Sequence, residues 1–160
     1  MNAERIVSID SVFYKSVDHI EPFMALLLLA DPSEELVRGY ANPQNTVGAT
    51  LNGEPIGVYV LLDKGNQLME LKNIAVHPEW QGKGLGKTLI GHAMERAGDR
   101  GARRMEVGTG NSSLDQIAFY EKAGFTRDRV DEGFFLRNYA EPIFENGMQC
   151  ADMIYLKKTF

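Results

Sequence analysis

Residues 81–88 read Q-G-K-G-L-G-K-T, from Gln81 to Thr88, and they lie between a segment typical of a β-strand and one typical of an α-helix. Residues 69–76 before them are mostly apolar, and residues 84–100 carry apolar side chains at every fourth position. Glycine permits positive φ and close backbone approach, and a helix N-terminus offers free N–H groups with a partial positive charge. The stretch therefore predicts a strand-to-helix loop that holds an anion such as phosphate.

Two nucleotide-binding motifs compete for this loop. A P-loop requires glycine five residues before its G-K-[ST] end, and Gln81 occupies that position. A dinucleotide-binding G-x-G-x-x-G fails as well, because its third glycine position falls on Lys87 or Leu89. A tight turn without any ligand would need only one or two of the glycines. The pattern that does fit is Q-x-x-G-x-G.

Strand and helix signals precede the loop. Residues 6–12 alternate enough to predict a first strand, and residues 17–30 and 31–40 indicate two helices. In the second helix, Pro32 fits the first turn. Predicted strands at residues 46–51 and 55–62 flank Asn52-Gly53, a strong signal for a two-residue hairpin.

Further elements follow the loop. Residues 104–109 predict a strand, and residues 112–123 predict a short helix with a capping box from Ser113 and Gln116 and a C-terminal cap at Gly124. Residues 134–156 contain two strand-like runs around a second hairpin signal, Asn146-Gly147. The order of elements predicts an α/β (α+β) fold, with a mixed sheet and helices on both faces.

The composition is that of an ordinary globular protein, with 44% hydrophobic and 24% charged residues among 160. No internal repeat or linker-like stretch interrupts it, so we expect one domain over residues 1–160. The longest apolar run, residues 24–30, is too short to span a bilayer, and residues 1–30 show no secretory signal. One cysteine, Cys150, excludes an internal disulfide, and its apolar surroundings favour a buried packing role over a nucleophile. We expect a cytoplasmic protein.

Charge is unevenly distributed along the chain. The net charge of -5 argues against a nucleic-acid partner, yet residues 72–104 carry seven basic and three acidic side chains. This basic segment fits an anion held mid-chain, although solvated helix faces would explain it equally well.

The histidines do not predict a metal site, because no spacing would gather them; they are His19, His77 and His92. His77 is more typical of a turn residue than of a base.

The longer stretch L-x-x-I-A-V-H-P-x-W-Q-G-K-G-L-G, over residues 71–86, resembles the central motif of the GNAT superfamily of N-acetyltransferases. Downstream, residues 119–125, F-Y-E-K-A-G-F, are similar to the F-Y-x-x-x-G-F helix end of that family. The resemblance covers nearly the whole chain, although the first forty residues match by element order alone. It implies a single GNAT-like domain, with a mixed, mostly antiparallel sheet of about seven strands flanked by four helices.

The resemblance implies that acetyl-CoA is a cosubstrate and that no metal takes part. Backbone amides of the loop would bind its pyrophosphate, and the preceding strand would pair with its pantetheine arm, with the Val76 N–H facing the thioester carbonyl. Asn111 would bond to the cofactor arm, cap the following helix, or do both. The implied cofactor-binding residues are Ile74, Ala75, Val76, Gln81, Gly82, Lys83, Gly84, Leu85, Gly86, Lys87 and Asn111.

Two residues are candidates for proton transfer. Tyr120 maps to the tyrosine with which many GNAT members protonate the departing thiolate, although at its position near Ile117 it could also be core. Glu70 lies eleven residues before Gln81, where histone-type members carry a general base. Its alternative is an exposed ion pair beside Lys72, and many members have no defined base.

The sequence does not identify the acceptor of the acetyl group. The GNAT-like fold would bring several acidic residues near the acceptor, and their charge suits a cationic amine. A solvated acidic surface would explain the same residues equally well. They are Asp18, Glu21, Asp31, Glu34, Glu35, Asp131, Glu132, Glu141 and Glu145. The aromatic residues of segment 134–147 either wall the pocket or pack against a second subunit, which leaves a homodimer open. No membrane partner is expected. The main hypothesis is transfer of an acetyl group to a primary amine in a ternary complex; the alternatives are a non-catalytic acyl-CoA-binding or sensing module and a P-loop nucleotide-binding protein.

Overall fold

The computed structural model describes residues 11–160 of the chain. Its strands are β1 (Phe13–Ser16), β2 (Thr46–Leu51), β3 (Glu54–Asp63), β4 (Leu68–Val76), β5 (Arg104–Gly110), β6 (Thr126–Asp131), β7 (Phe144–Glu145), β8 (Met148–Gln149) and β9 (Met153–Thr159). Its α-helices are α1 (Met24–Ala30), α2 (Glu34–Tyr40), α3 (Leu85–Asp99), α4 (Leu114–Lys122) and α5 (Phe134–Asn138). Short 3₁₀ turns occupy Glu21–Phe23 and Pro78–Trp80.

Seven of these strands form one sheet in the order β1-β2-β3-β4-β5-β9-β6, and β7 pairs only with β8. β4 and β5 pair in parallel, whereas β1–β2, β2–β3, β5–β9 and β6–β9 pair antiparallel. The predicted mixed sheet of seven strands is confirmed, and four of the helices within residues 11–160 have seven residues or more.

Both predicted Asn-Gly hairpins are present. Asn52 and Gly53 have φ angles of 50° and 81°, and Asn146 and Gly147 have φ angles of 52° and 75°. Two consecutive left-handed residues are what a two-residue hairpin turn with the strands' own twist requires, and asparagine and glycine tolerate that backbone best. The first turn joins β2 to β3, and the second joins β7 to β8.

The described chain forms two compact units. The first contains the described residues up to Val60 together with Asn73–His92. Its apolar interior includes Leu27, Val37, Val58 and Leu89, which are fully buried. Gly48 on β2 admits the Phe23 ring, because a Cβ there would lie 2.4 Å from that ring.

A polar side chain links three elements of the first unit. Asn73 of β4 is buried, and its Nδ2 donates to the Leu27 carbonyl of α1 and to the Tyr40 hydroxyl of α2, both at 3.0 Å. Tyr40 in turn donates to Asp31 Oδ2 at 3.0 Å. These bonds fix the α1–α2 connection on β4.

The second unit contains Leu61–Lys72 and Ala93–Phe160. Its β4–β5 pairing runs from Leu68↔Arg104 to Leu71↔Val107, and β9 pairs with both β5 and β6. The interior is apolar, with Met105, Val107 and Leu156 all fully buried. Gly124, at φ 98°, ends α4 as predicted, since its N–H donates to the Glu121 carbonyl at 3.0 Å.

Several boundaries in the first half differ from the sequence-based expectations. Residues 6–10 of the predicted first strand lie outside the described residues, and the first strand described is β1. The helix predicted at residues 17–30 begins only at the 3₁₀ turn Glu21–Phe23. The prediction that Pro32 lies in the first turn of α2 was wrong, because Ser33 is the N-cap and its Oγ accepts the Leu36 N–H at 3.2 Å.

The second half contains two elements that were not predicted. β6 is polar and exposed along almost its whole length, and α5 has only five residues after Gly133, whose φ is 73°. The predicted capping box of α4 was also wrong, because the Ser113 hydroxyl donates to Glu145 Oε1 at 2.8 Å instead of capping the helix. Across residues 11–160, none of the helices combines the length and the hydropathy that a membrane span requires.

Candidate active site

The turn after β4 has the backbone that its glycines predict. Gly82 and Gly84 have φ angles of 75° and 86°, in the left-handed region that favours glycine. The space around Gly82 is open, since no atom lies within 4 Å of where a Cβ would stand, so backbone conformation alone requires glycine there. Gly86 differs, because it is the second residue of α3 and its φ is not positive.

The first turn of α3 presents backbone N–H groups that the helix itself does not use. Thr88 donates to the Gly84 carbonyl through its N–H at 3.2 Å and its hydroxyl at 3.1 Å. The N–H groups of residues 85–87 come before that first bond, and a helix terminus leaves such groups without an intrahelical partner. The exposed Lys83 and Lys87 add positive charge at the same end. The loop can therefore hold an anionic group.

Side chains brace the loop against the end of β4. Gln81 donates from Nε2 to the Val76 carbonyl at 3.1 Å, and its backbone N–H points to the Pro78 carbonyl at 3.4 Å. His77 accepts the Glu79 N–H at Nδ1, at 3.1 Å, as expected of a turn residue. The Gln81 amide therefore shapes the loop, and its predicted bond to a cofactor stays a prediction.

The last residues of β4 lead directly into this loop. β4 continues to Val76, beyond Leu71, its last residue paired with β5. Ile74 and Ala75 are buried, and Val76 is half-buried. The predicted pantetheine-binding residues thus belong to a regular strand in the same compact unit as the loop.

Tyr120 lies in the second unit, on α4. It is 5% exposed and packs against Phe119 and Phe125, with ring centroids 5.4 Å and 6.1 Å away. Burial raises the pKa of its hydroxyl well above that of a free tyrosine. The side chain is therefore buried and protonated at neutral pH, and its role as a proton donor stays a prediction.

Asn111 has a structural role that the sequence did not indicate. Its Oδ1 accepts the N–H groups of Ala151 and Asp152 at 2.8 Å and 3.0 Å, and its Nδ2 donates to the Gln149 carbonyl at 3.2 Å. The prediction that it caps α4 was wrong, because Ser113 is the N-cap residue. A bond from this side chain to a cofactor would use the second Nδ2 hydrogen, and Nδ2 also lies 3.9 Å from Met148 Sδ.

Glu70 is buried, which contradicts the alternative of an exposed ion pair. It is 6% exposed, and Lys64 on the β3–β4 turn approaches its Oε1 at 3.9 Å. Its register partner on β5 is Glu106, which is 7% exposed. A second buried carboxylate therefore lies beside the candidate base, and its only signal in the sequence is a charged residue within a short predicted strand.

Arg129 of β6 completes this acidic cluster. Its Nη1 donates to Glu106 Oε2 at 3.0 Å, and this hydrogen bond raises the pKa of the guanidinium. The guanidinium lies 4.0 Å from the centroid of the Tyr155 ring. Burial and then the charge of Glu70 raise the pKa of Tyr155, in keeping with its place beside both carboxylates.

Many of the acidic residues predicted near the acceptor already have partners. Arg38 contacts Glu21 at 3.2 Å and Glu34 at 3.3 Å, and this arginine and Glu21 line a 270 Å³ cavity of the first unit. In the second unit, Arg137 contacts Asp131 at 2.7 Å. A cationic acceptor would therefore compete with the protein's own basic side chains at these positions.

The remaining candidates have packing roles. His92 Nδ1 and the Tyr59 hydroxyl are 2.6 Å apart, and the Tyr14 ring stacks on the imidazole at 4.8 Å. Cys150 is buried as predicted, and burial raises the pKa of its thiol. Its Sγ fills the space beside Gly110, where a Cβ would lie 2.3 Å away. Residues 11–160 contain no group of three or more histidine, cysteine or acidic side chains placed to hold a metal ion.

Comparison with known proteins decides the family. The model of the acetyltransferase (GNAT) family matches residues 9–125, which is more than half of the chain. The chain belongs to the GNAT family of acetyltransferases. The resemblance found in residues 71–86 is thereby confirmed.

Individual GNAT relatives are similar to this chain in sequence and fold over most of its length. An uncharacterised N-acetyltransferase of Bacillus subtilis (strain 168), YvbK, is 49% identical over 82% of this chain and 84% of its own length. An IAA acetyltransferase from Bacillus cereus ATCC 14579 superposes with a TM-score of 0.85 at 45% identity, over 94% of this chain and 100% of that one. A GNAT acetyltransferase from Elizabethkingia anophelis, solved with acetyl-CoA bound, gives a TM-score of 0.87 at 37% identity, over 94% and 99%. The GNAT-like fold that the resemblance implies is confirmed.

Proposed function

We propose that the protein transfers the acetyl group of acetyl-CoA to a primary amine of a small molecule or peptide. The observation that carries this proposal is the loop at residues 81–87 in a GNAT chain. Gly82 and Gly84 turn the backbone through left-handed angles directly before the free N–H groups of α3. Such a turn suits a pyrophosphate, which accepts several hydrogen bonds and carries negative charge.

The end of β4 supplies the next part of the proposal. The backbone of Ile74, Ala75 and Val76 pairs with the pantetheine arm, as the amides of Gln81 to Lys87 hold the pyrophosphate. The N–H of Val76 donates to the thioester oxygen, on which negative charge develops as the amine attacks. One such donor is typically worth ~10²–10³ in rate.

Proton transfer falls to two side chains. Glu70 takes a proton from the acceptor ammonium, directly or through water, so that the amine nitrogen can bond to the carbonyl carbon. The carbon–sulfur bond then breaks, and Tyr120 gives its proton to the departing thiolate. The nitrogen of the new amide loses its second proton to water, from which Tyr120 is reprotonated. The Tyr120 hydroxyl, like that of any tyrosine, carries its proton at neutral pH, and burial raises its pKa further. General acid–base catalysis of this kind contributes roughly 10²–10⁴ in rate.

The test is release of free thiol from acetyl-CoA across a panel of amines, amino acids and peptides. We expect at least one acceptor to support turnover, and Tyr120→Phe to lower kcat by a factor of ~10² or more with a nearly unchanged acetyl-CoA Kd. Because the side chain is buried, thermal unfolding of the variant serves as the control for folding. Unchanged turnover in a folded Tyr120→Phe protein would demote this tyrosine to a core residue.

The binding-module alternative predicts a different result. Acetyl-CoA would then raise the unfolding temperature by mass action, but no acceptor of the panel would release thiol. Stabilisation by ATP in place of acetyl-CoA would contradict both hypotheses and favour a nucleotide site.

A further inference from the structure

Two buried carboxylates lie side by side in the second unit. Glu70 and Glu106 are register partners on the parallel strands β4 and β5, and neighbouring strands are about 4.8 Å apart. They are 6% and 7% exposed, so water screens their charges poorly. Two like charges at adjacent, buried positions favour retention of a proton by one of them unless a cation neutralises the pair.

The cations near these carboxylates are not equivalent. Arg129 Nη1 lies 3.0 Å from Glu106 Oε2, within hydrogen-bond distance. Lys64 Nζ lies 3.9 Å from Glu70 Oε1, on a turn where the lysine is 46% exposed. A guanidinium remains charged across the accessible pH range, so Glu106 has a permanent counter-charge and Glu70 has a looser one.

Three strands hold Arg129 in place. Arg129 on β6 and Gly108 on β5 are both register partners of Tyr155 on β9. A Cβ at Gly108 would lie 3.0 Å from Tyr155 Cε1, so the missing side chain leaves room for the ring over β5. The ring in turn supports the guanidinium at 4.0 Å, a cation–π distance. The arrangement directs Arg129 across Tyr155 to Glu106.

We propose that Arg129 is a positioning residue for Glu70: its guanidinium neutralises Glu106 and so allows the neighbouring Glu70 to remain ionised as the base. This inference rests on the proposed function, in which Glu70 accepts the amine proton. Other charged residues on the same strands are Lys72, two residues after Glu70 on β4, Lys157, the register partner of Glu106 on β9, and the aspartates of β6. Lys157 and Asp128 pair with each other at 3.3 Å, and Asp131 pairs with Arg137 at 2.7 Å, so Arg129 is the closest cation of the two carboxylates among the ion pairs of the described residues.

The experiment is a carbon-13 NMR titration of the glutamate carboxyl carbons in the full chain. The Glu70 signal is assigned by its loss in Glu70→Gln. The variants are Arg129→Gln, Arg129→Lys and the double variant Arg129→Gln/Glu106→Gln. Arg127→Gln is the matched control, because it removes the same charge from β6 but its partner is the exposed Glu121, at 3.8 Å.

We expect the Glu70 titration midpoint to rise by about one pH unit in Arg129→Gln, a tenfold gain in proton affinity. The midpoint should stay near the wild-type value in Arg127→Gln and Arg129→Lys. In the double variant it should return to near the wild-type value, because position 106 is then uncharged. An unchanged midpoint in Arg129→Gln, or a rise that the double variant does not reverse, would overturn the proposal.

Glu106→Gln provides the complementary measurement should Arg129→Gln fail to fold. It leaves the guanidinium without its carboxylate, so the Glu70 midpoint should fall, and an unchanged midpoint would contradict the proposal. The acidic limb of the kcat/KM profile should follow the NMR midpoints. If the Glu70 midpoints shift as expected but no acceptor is acetylated, the proposed function fails while the link between Arg129 and Glu70 stands. If an acceptor is acetylated but the Glu70 midpoints do not shift, the link between Arg129 and Glu70 fails while the proposed function stands.

Discussion

Burial changes the acidity of single tyrosines in this protein. The pKa values of Tyr14, Tyr120 and Tyr155 are all raised, with burial as the largest cause. A raised pKa means that the folded state binds the phenolic proton more tightly than the unfolded chain does. The associated stability is therefore fully present below a pH of about 10, where an unfolded tyrosine titrates, and is lost as the pH rises above it.

We expect the unfolding free energy to fall above pH 10 and to fall less steeply in Tyr120→Phe. Each pH unit above the unfolded-state pKa costs about 1 kcal/mol for a tyrosine that stays protonated in the fold. Urea unfolding of both proteins at pH 7, 9, 10 and 11 measures the effect. The contribution of the Cys150 thiol to the pH dependence cancels in the comparison, because both proteins contain it. The unfolding free energies of the two proteins should change with pH in the same way between pH 7 and 9. Equal slopes above pH 10 would mean that the Tyr120 hydroxyl is not protected in the folded state.

Local sequence pattern predicted the backbone of the loop before α3. Gln81, Gly82 and Gly84 could be interpreted from spacing alone, because loop geometry is decided within a few residues. The Glu106–Arg129 pair could not be found that way, since it depends on the order β5-β9-β6, which places distant segments side by side. The helix-cap role considered for Asn111 was wrong for the same reason, since its partners are the residues at 149–152.

The elements show a similar division. β2, β4 and α3 were predicted to within one residue at nearly every boundary, because apolar periodicity and Asn-Gly turns mark them locally. β6 was missed because T-R-D-R-V-D is an edge strand with one apolar side chain, which leaves no alternation to detect. α5 is too short for helical periodicity to appear.

The loop before α3 allows a prediction with an internal control. Gly82 and Gly91 both have open space where a Cβ would stand, but Gly82 alone has a positive φ, 75°. Gly82→Ala should therefore strain the loop by roughly 1–2 kcal/mol and weaken acetyl-CoA binding about tenfold. Gly91→Ala, within α3, should leave binding intact and stabilise the helix by up to about 1 kcal/mol. Calorimetric Kd values and unfolding temperatures of the two variants test this. Equal acetyl-CoA affinities would show that the left-handed backbone at Gly82 is not required for binding.

At the scale of the whole molecule, three elements supply residues to both compact units: β3, β4 and α3. Each is a continuous hydrogen-bonded strand or helix, so unfolding one unit would end these elements in mid-length. We therefore propose that residues 1–160 behave as a single cooperative domain and expect one unfolding transition.

Trp80, the chain's one tryptophan, makes that expectation measurable. It lies in the first unit, so its fluorescence reports on that unit, whereas far-UV circular dichroism reports on the helices and strands of both. In urea the two signals should give the same midpoint and slope. Acetyl-CoA at 100 times its Kd should raise the stability seen by both probes equally, by about 2.7 kcal/mol. Separate midpoints, or a ligand shift seen by fluorescence alone, would mean that the two units unfold independently and that the ligand stabilises only the first.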